Sequence, residues 1–401
     1  MKVLAIILSG GKRKELMPLV EDRSKSAVPF FGKYRVIDFI LSNCLNSGIR
    51  QINIAVQHRF GSLLKHIRDG WSIYSNSMGE YIDVYPPQQR RGDQLYSGTA
   101  DSVYQNLFSI ENENPDYVLT LSGDHIYKMD YRDLIRFHIE KKADITIGSV
   151  PIPVTKSNLY GVMTCDQDNR VRRFEEKPEK FAQHSDDTCL ASMGLYVFST
   201  QVLKDIFKGS EGDQKEYQEF GRDIIPNMVS SLRVFSYPFI DENGQGRYWN
   251  FLRTLREYYQ GNMDILNNRC EISLYDPSWP FRTYQSQSSP TRTFSRDRSE
   301  NLIVNSAISG GGVIEGRVLN SILGTNVTIE PDAIVEDSIL FDNVHVQRGA
   351  RVTKAIIDKR ITVPRDCVLN SDQHSEWAEY TLTDDIIVLG KNAVQGSIKS
   401  N

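Results

Sequence analysis

Residues 334–363 read IVEDSILFDNVHVQRGARVTKAIIDKRITV, and apolar residues return every six, at Ile334, Leu340, Val346 and Val352. A helix would return them every three or four residues and a half-buried strand every two. A six-residue return is that of a parallel β-helix, whose short strands stack coil on coil around a narrow aliphatic core. An antiparallel sandwich also has short strands, but the six-residue register over several turns favours the β-helix. The pattern reaches back to Asn301 through NLIVNSAISGGGVIEGRVLNSILGTNVTIEPDAIVEDS. Such prisms have flat faces and an open end, which serve as assembly surfaces.

Upstream, residues 283–300, TYQSQSSPTRTFSRDRSE, are rich in Ser, Thr and Arg and read as a connector. Before them come apolar runs of strand length: VLAIIL (3–8), INIAV (52–56), YVLTLSG (117–123), ADITIGSV (143–150) and ASMGLYVF (191–198). Several are apolar on both faces, as in a parallel sheet covered on both sides. Between the runs, Val36, Ile37, Ile40, Leu41, Cys44 and Leu45 recur at helical spacing, as do Tyr131, Leu134, Ile135 and His138. The alternation predicts an α/β fold with an open, mostly parallel sheet. We expect that domain over residues 1–280, a linker over 281–300, and a hexapeptide-repeat domain with a C-terminal tail over 301–401. Open sheets bind ligands beyond the carboxyl ends of their strands, where Gly10-Gly11 and Gly123-Asp124 fall.

The 401 residues suffice for two or three domains. A net charge of −4 gives no electrostatic footprint for nucleic acid. No run approaches the roughly 20 apolar residues of a membrane span. The opening MKVLAIILSGG is too short for a signal peptide and reads as a first strand. The five cysteines include no CxxC pair, which argues against a metal cluster or a disulfide framework. A reduced, cytoplasmic protein is expected.

LSGDHIYKMDY (121–131) puts Asp124 just past a strand, where a carboxylate either closes a turn or reaches a cation such as Mg²⁺. FEEKP (174–178) sets Lys177 behind two carboxylates, as a solvated charge cluster or a point charge for phosphate. YSGTADSV (96–103) reads as a helix start capped by Ser97 or Thr99. YGV (160–162) and SMGLY (192–196) supply glycines, for turns or for close approach of a sugar. The seven histidines form no HExxH or HxxxH pattern, so hydrolase and zinc readings are weak.

Together these segments resemble the ADP-glucose pyrophosphorylase (glucose-1-phosphate adenylyltransferase) family, bacterial type. The resemblance spans nearly the whole chain. Its motifs are FGKYRVIDFILSNCLNSGI (31–49), GTADSVYQNL (98–107), GDHIYKMDY (123–131), YGVM (160–163), FEEKP (174–178), SMGLYVF (192–198), FGRDIIP (220–226) and AIIDKRITVP (355–364). It implies a nucleotide-sugar transferase domain of Rossmann-like fold, followed by a left-handed parallel β-helix. It also implies ATP and glucose 1-phosphate as substrates, ADP-glucose and pyrophosphate as products, Mg²⁺ as cofactor, a tetramer under allosteric control, and a place in glycogen or starch synthesis. By resemblance, Asp124 serves the metal. Glu176 and Lys177 meet the glucose 1-phosphate, with Ser192 and Gly161 lining that pocket. Tyr96 and Gly98 lie by the nucleotide base, Lys25 meets the phosphates, and Gly10 and Gly11 belong to the nucleotide loop.

The same resemblance exposes departures. The family loop reads roughly Gly-Gly-x-Gly-Thr-Arg-Leu-x-Pro-Leu, and here Arg13 stands for the third Gly, Lys14 for the Thr and Glu15 for the Arg that meets the leaving pyrophosphate. A carboxylate repels phosphate oxygens that an Arg fork would bind. In YWNFLRT (248–254), Phe251 stands where the family has the Asp that is the second metal ligand, and Arg253 where it has Gly. Phe offers no oxygen to a hard cation. The third change, Ser26 for Pro, is mild. The changes fall on the triphosphate and metal side and spare the sugar phosphate side. The sequence therefore predicts a ligand-binding regulatory subunit of low activity alone, in a homo- or hetero-tetramer, with an active paralogue as partner. The alternatives are an active enzyme in which Arg13 or Lys14 replaces the missing arginine, or a pyrophosphorylase for another nucleotide sugar.

Overall fold

The computed structural model describes residues 1–11, 14–88, 95–181, 187–208, 217–295, 302–371 and 377–393. Two compact units emerge. One comprises Met1–Gly11, Ile40–Phe60 and Trp71–Trp249, and the other Lys12–Phe39, Gly61–Gly70 and Asn250–Asn401.

The first unit is built on a nine-stranded sheet. Strand β1 (Val3–Ser9) lies between β2 (Gln51–Val56) and β4 (Tyr117–Ser122), parallel to both, and β3 (Tyr81–Tyr85) extends the parallel set beyond β2. Leu4, Ala5, Ile6 and Ile7 are all buried, so β1 is covered on both faces, as its apolar run predicts. Past β4 come β5 (Ile145–Pro153), β6 (Gly161–Cys165), β7 (Val171–Glu176), β8 (Thr188–Ser199) and β9 (Val234–Pro238). β8 runs antiparallel to β4, β5 and β6, whereas β9 is parallel to β5. The predicted helices are present. α1 (Val36–Asn46) buries Val36, Ile37, Ile40, Leu41 and Cys44. α2 (Thr99–Gln105) begins the GTADSV segment. α3 (Tyr131–Glu140) buries Tyr131, Leu134, Ile135 and His138, and Asp130 caps it by accepting from the Arg132 amide. The α2 start departs from expectation. Gly98 is its N-cap, without a side-chain cap, and the Thr99 hydroxyl instead donates to Glu219 at 2.5 Å. The Thr99 oxygen, which capping would use as an acceptor, instead accepts from the Phe220 amide at 3.3 Å.

In the second unit, three short parallel strands make each coil of a β-helix. Ile322 pairs with Ile339, Thr328 with His345 and Val335 with Val352, a return of seventeen residues. The buried row runs Val318, Leu323, Ile329, Val335, Leu340, Val346, Val352, Ile357, Val363, Leu369. Its spacing repeats as five, six, six, so a strict six-residue row misplaces one residue. Val335 points into the core, and Ile334 is only half-buried. Corners fall at residues with left-handed backbone, chiefly Asn320, Asn326, Asp332, Asp337, Asn343 and Asp366. Asn and Asp accept that conformation more readily than other side chains. Asn305 donates to Asn320 at 2.8 Å and Asn320 donates to Asp337 at 2.5 Å, tying successive coils.

One side of this prism is not free. The pairs Ile322–Leu323, Ile339–Leu340 and Ile356–Ile357 are each buried at both residues, hence on both faces of their sheet. Helix α4 (Leu255–Leu266) lies against these coils: the Tyr259 hydroxyl donates to the Asp337 carbonyl at 2.7 Å, and the Tyr258 and Phe341 rings meet at 6.4 Å. The unit also gathers the segment after Lys12. Arg23 donates to both carboxylate oxygens of Asp358, at 3.0 and 2.9 Å, in a buried pair. No helix among the described residues is long and apolar enough to cross a membrane.

Candidate functional site

In the first unit the motif residues converge beyond the carboxyl ends of β1 and β4. The Gly123 amide donates to the Leu8 carbonyl at 2.9 Å, so the turn carrying Asp124 is tied to the end of β1. Asp124 lies 3.4 Å from His125 Nε2. Trp249 donates its indole N–H to His125 Nδ1 at 3.2 Å. An indole only donates, so Nδ1 is an acceptor and the His125 proton resides on Nε2, facing Asp124. The Trp249 ring stands 5.3 Å from the Tyr160 ring, centroid to centroid.

Tyr160 leads to the FEEKP residues. β6 and β7 pair so that Gly161 opposes Glu176. A Cβ at Gly161 would lie 2.7 Å from Glu176 Oε2, and one at Gly221 would also collide with that oxygen. The carboxylate thus packs against bare backbone at both glycines, and at Gly161 the Phe174 ring, 2.5 Å from such a Cβ, closes the space as well. Burial pushes the Glu176 carboxyl up from its ordinary range, and the Lys177 ammonium, 3.4 Å from Oε1, opposes the rise. Lys177 has left-handed backbone, φ 48°, and donates its amide to the Tyr160 carbonyl at 2.9 Å. A lysine held there stores strain on the order of 1 kcal/mol, which concentrates at functional positions. Its side chain stays more than half exposed. Ser192 stands 3.4 Å from the Tyr196 hydroxyl, within a bulge of β8 where Gly194 takes φ 65° and donates its amide to Ser192 at 3.2 Å.

The remaining motif residues form a second cluster of the same unit. Tyr96 is clamped by Gln57, which accepts from its amide at 2.5 Å and donates to its carbonyl at 3.1 Å. Gly10 abuts Gln57, where an added Cβ would sit at 3.4 Å, whereas Gly11 has open space. Gly98 packs on the Gln218 carbonyl, leaving no room for a side chain.

Glu15, Lys25 and Phe251 belong to the other unit. Glu15 is exposed in a single turn over Lys14–Leu16. Arg13 lies outside the described residues. Lys25 opens a turn over Lys25–Ala27, is buried at 7% exposure, and places its ammonium 4.7 Å from the Phe251 ring centroid. The Arg253 guanidinium is 5.9 Å from the same ring and is held by Glu257, which accepts from Arg253 Nε at 3.1 Å.

Sequence reading missed His125, Trp249, Gln57 and Glu219. Each acts through a partner distant in the chain, except His125, whose signal was adjacency to Asp124. Among the described residues, no group of three or more His, Cys, Asp or Glu side chains could hold a metal. Asp124 offers one carboxylate, which suits a cation carried in on substrate phosphates and does not suit one held by the protein alone.

The sequence profile of the nucleotidyl transferase family matches residues 4–268, and that of the GlmU-like C-terminal hexapeptide matches residues 289–389. The chain is 42% identical over 398 residues to a glucose-1-phosphate adenylyltransferase of Rhodopirellula baltica, covering 97% of this chain and 89% of that one. It is 39% identical over 394 residues to the namesake enzyme of Methylococcus capsulatus, covering 97% and 93%. It is 42% identical over 370 residues to glucose-1-phosphate adenylyltransferase 2 of Vibrio cholerae, covering 90% of each. With that identity along nearly its full length, on an α/β sheet followed by a β-helix, this chain belongs to the glucose-1-phosphate adenylyltransferase family.

Proposed function

We propose that this chain is a cytoplasmic glucose-1-phosphate adenylyltransferase-family subunit that binds glucose 1-phosphate or ADP-glucose but catalyses poorly alone, and that it tunes an active paralogue in a shared oligomer. In the family reaction, a phosphate oxygen of glucose 1-phosphate attacks the α-phosphorus of ATP, and the bond to the departing pyrophosphate breaks in line. Catalysis is then positioning plus neutralisation of phosphate charge. Mg²⁺, when bound, supplies part of that neutralisation. On the sugar phosphate side, Lys177 meets the phosphate and Glu176, between Gly161 and Gly221, accepts from sugar hydroxyls, with Ser192 beside them. Tyr96 and Gly98 line the nucleotide base, after the Gly10-Gly11 loop. Asp124 contributes a single carboxylate, so Mg²⁺ binding is weakened.

The observation that carries the reading is the one at position 251, where a phenyl ring faces the Lys25 ammonium and no oxygen stands. Glu15, set by repulsion against a leaving pyrophosphate, points the same way. Removing one stabilising group of this kind costs about 10²–10³ in rate, and reversing its charge costs more. Within the second unit, a cleft of about 710 Å³ is lined in part by Lys33, Arg35, Lys65 and Arg360, together with Asp69 and with Lys359 paired to Asp342, and its excess of cations suits an anionic effector. A pyrophosphate-release assay on the purified chain tests the proposal, run with and without a family paralogue carrying Arg and Asp at the two positions. Low turnover alone and an altered effector response of the mixture are expected. Robust turnover by the isolated chain would refute the reading and establish an ordinary active enzyme.

A further inference from the structure

We infer that Trp249 is a positioning residue for Asp124: its indole fixes the tautomer and rotation of His125, whose Nε2–H holds the Asp124 carboxylate in one orientation for a divalent cation arriving on substrate phosphates. The inference rests on the reading of Asp124 as the carboxylate that serves the metal. His125 is 4% exposed, so its ring nitrogens depend on protein partners. Trp249 donates to Nδ1 at 3.2 Å, and the two rings meet edge-on with centroids 5.4 Å apart and planes at 83°. An indole nitrogen only donates, so Nδ1 keeps its lone pair and the ring proton sits on Nε2. Nε2 stands 3.4 Å from Asp124 Oδ1.

The indole and the imidazole are each held from another side. The Tyr160 ring lies 5.3 Å from the Trp249 ring. Tyr160 is itself tied down, because its carbonyl accepts from the Lys177 amide at 2.9 Å and its amide donates to the Ser157 carbonyl at 3.3 Å. Across the imidazole, a Cβ at Gly194 would lie 3.7 Å from His125 Cε1, so the β8 bulge forms a wall of the ring's pocket. A half-turn of the imidazole would set a carbon in place of Nδ1 and break the indole bond. That bond therefore fixes the rotation of the ring as well as its tautomer.

The tautomer decides what Asp124 meets. With the proton on Nε2, the carboxylate faces an N–H that orients it without neutralising it. With the proton on Nδ1, it would face a lone pair and be repelled. A carboxylate oriented before the cation arrives has already met its ordering cost, and donors behind metal ligands act in this way.

The test uses the full chain with histidine isotopically labelled at its ring nitrogens. Nitrogen chemical shifts recorded without metal report the tautomer, and His125 is identified as the signal lost in His125→Phe. The parent should show the Nε2–H form with Nδ1 shifted by the indole bond. Trp249→Phe, which keeps a ring against Tyr160, should move Nδ1 to the position of a nitrogen without a donor. Calorimetry then compares ATP affinity in excess Mn²⁺ with that in excess EDTA, without glucose 1-phosphate, so that no turnover occurs. The gain from Mn²⁺ should shrink on the order of tenfold in Trp249→Phe and equally in His125→Phe. The double variant should lose no more than His125→Phe alone, because Trp249 acts through His125. An unmoved Nδ1 signal, an undiminished gain in folded Trp249→Phe, or additive losses in the double variant would overturn the inference. His125→Gln keeps an N–H toward Asp124 and should retain more of the gain than His125→Phe, which decides the matter where Trp249→Phe does not fold; equal losses in those two would overturn it. No gain from Mn²⁺ in the parent would remove the metal reading of Asp124, and this role of Trp249 with it, even where the nitrogen shifts show the indole bond.

Discussion

At the residue scale, the packing around Glu176 and the substitutions at Glu15 and Phe251 lead to separate predictions. Glu176 is half-buried against Gly161 and Gly221, neither of which admits a Cβ without striking it. Gly221→Ala should therefore displace the carboxylate with little change to the fold, and Glu176→Gln should remove its charge. Each is expected to weaken glucose 1-phosphate binding by on the order of tenfold or more, the scale of a hydrogen bond to a charged group, as read by calorimetry on variants with unchanged melting. On the proposed reading, Glu15 and Phe251 are the opposite case, positions at which a functional group is missing. Combining Glu15→Arg and Phe251→Asp with Arg13→Gly and Arg253→Gly should raise ADP-glucose formation at least about a hundredfold at saturating Mg²⁺. Glu15→Arg and Phe251→Asp support the same departing charge and should act more than additively. A folded fourfold variant with unchanged rate would place the deficit elsewhere.

Helix α3 shows at the element scale how a sequence pattern conceals its own chemistry. His138 sits at a helical-core position and is 1% exposed, with its two ring nitrogens 2.8 Å from the Thr146 hydroxyl and 3.1 Å from the Ser199 hydroxyl. The Tyr117 ring meets it edge-on, and Asp144 and Arg233 are the charges nearest to it. Burial pushes its pKa down from 6.5 to about 4, with Asp144 opposing and Arg233 assisting. The unfolded chain thus takes up a proton near pH 6.5 and the folded chain only near pH 4. Stability from the neutral imidazole is full above pH 6.5 and is lost as pH falls through 4. The loss is on the order of 3 kcal/mol. His138→Gln should be less stable than the parent at pH 7, and the gap in urea midpoint should close or invert by pH 4. A gap that does not vary with pH would mean that another group dominates the acid response.

For the whole molecule, the second unit draws on three separated stretches of chain, Lys12–Phe39, Gly61–Gly70 and Asn250–Asn401. The β-helix is not an appendage that can be cut away cleanly, because α4 and the segment around Arg23 pack on it. Deleting residues 301–401 would bare Tyr258 and Tyr259 of α4 and leave Arg23 without Asp358. An uncompensated buried ion of this kind costs about 3–5 kcal/mol. The truncated chain should be insoluble or smaller than the parent oligomer in light scattering, and a soluble oligomer of unchanged subunit number would place the assembly contact elsewhere. The sequence by itself determined the architecture, since hydrophobic period is a local property: runs apolar on both faces marked the strands of the covered sheet, although β8 among them runs antiparallel, and spacing near six marked the coils. It also placed Asp124 just past a strand, where the turn after β4 holds it, because strand ends are where open sheets expose side chains. It misjudged whatever depends on distant partners. Val335 displaces Ile334 because a coil closes in seventeen residues, which six does not divide. Thr99 abandons its cap for Glu219, and His125 receives its tautomer from Trp249, 124 positions away. Only the tertiary structure could decide these, and with them the contact of Lys25 with Phe251, because a hydrogen bond or a ring contact is fixed by ångströms in space and leaves no period in the chain.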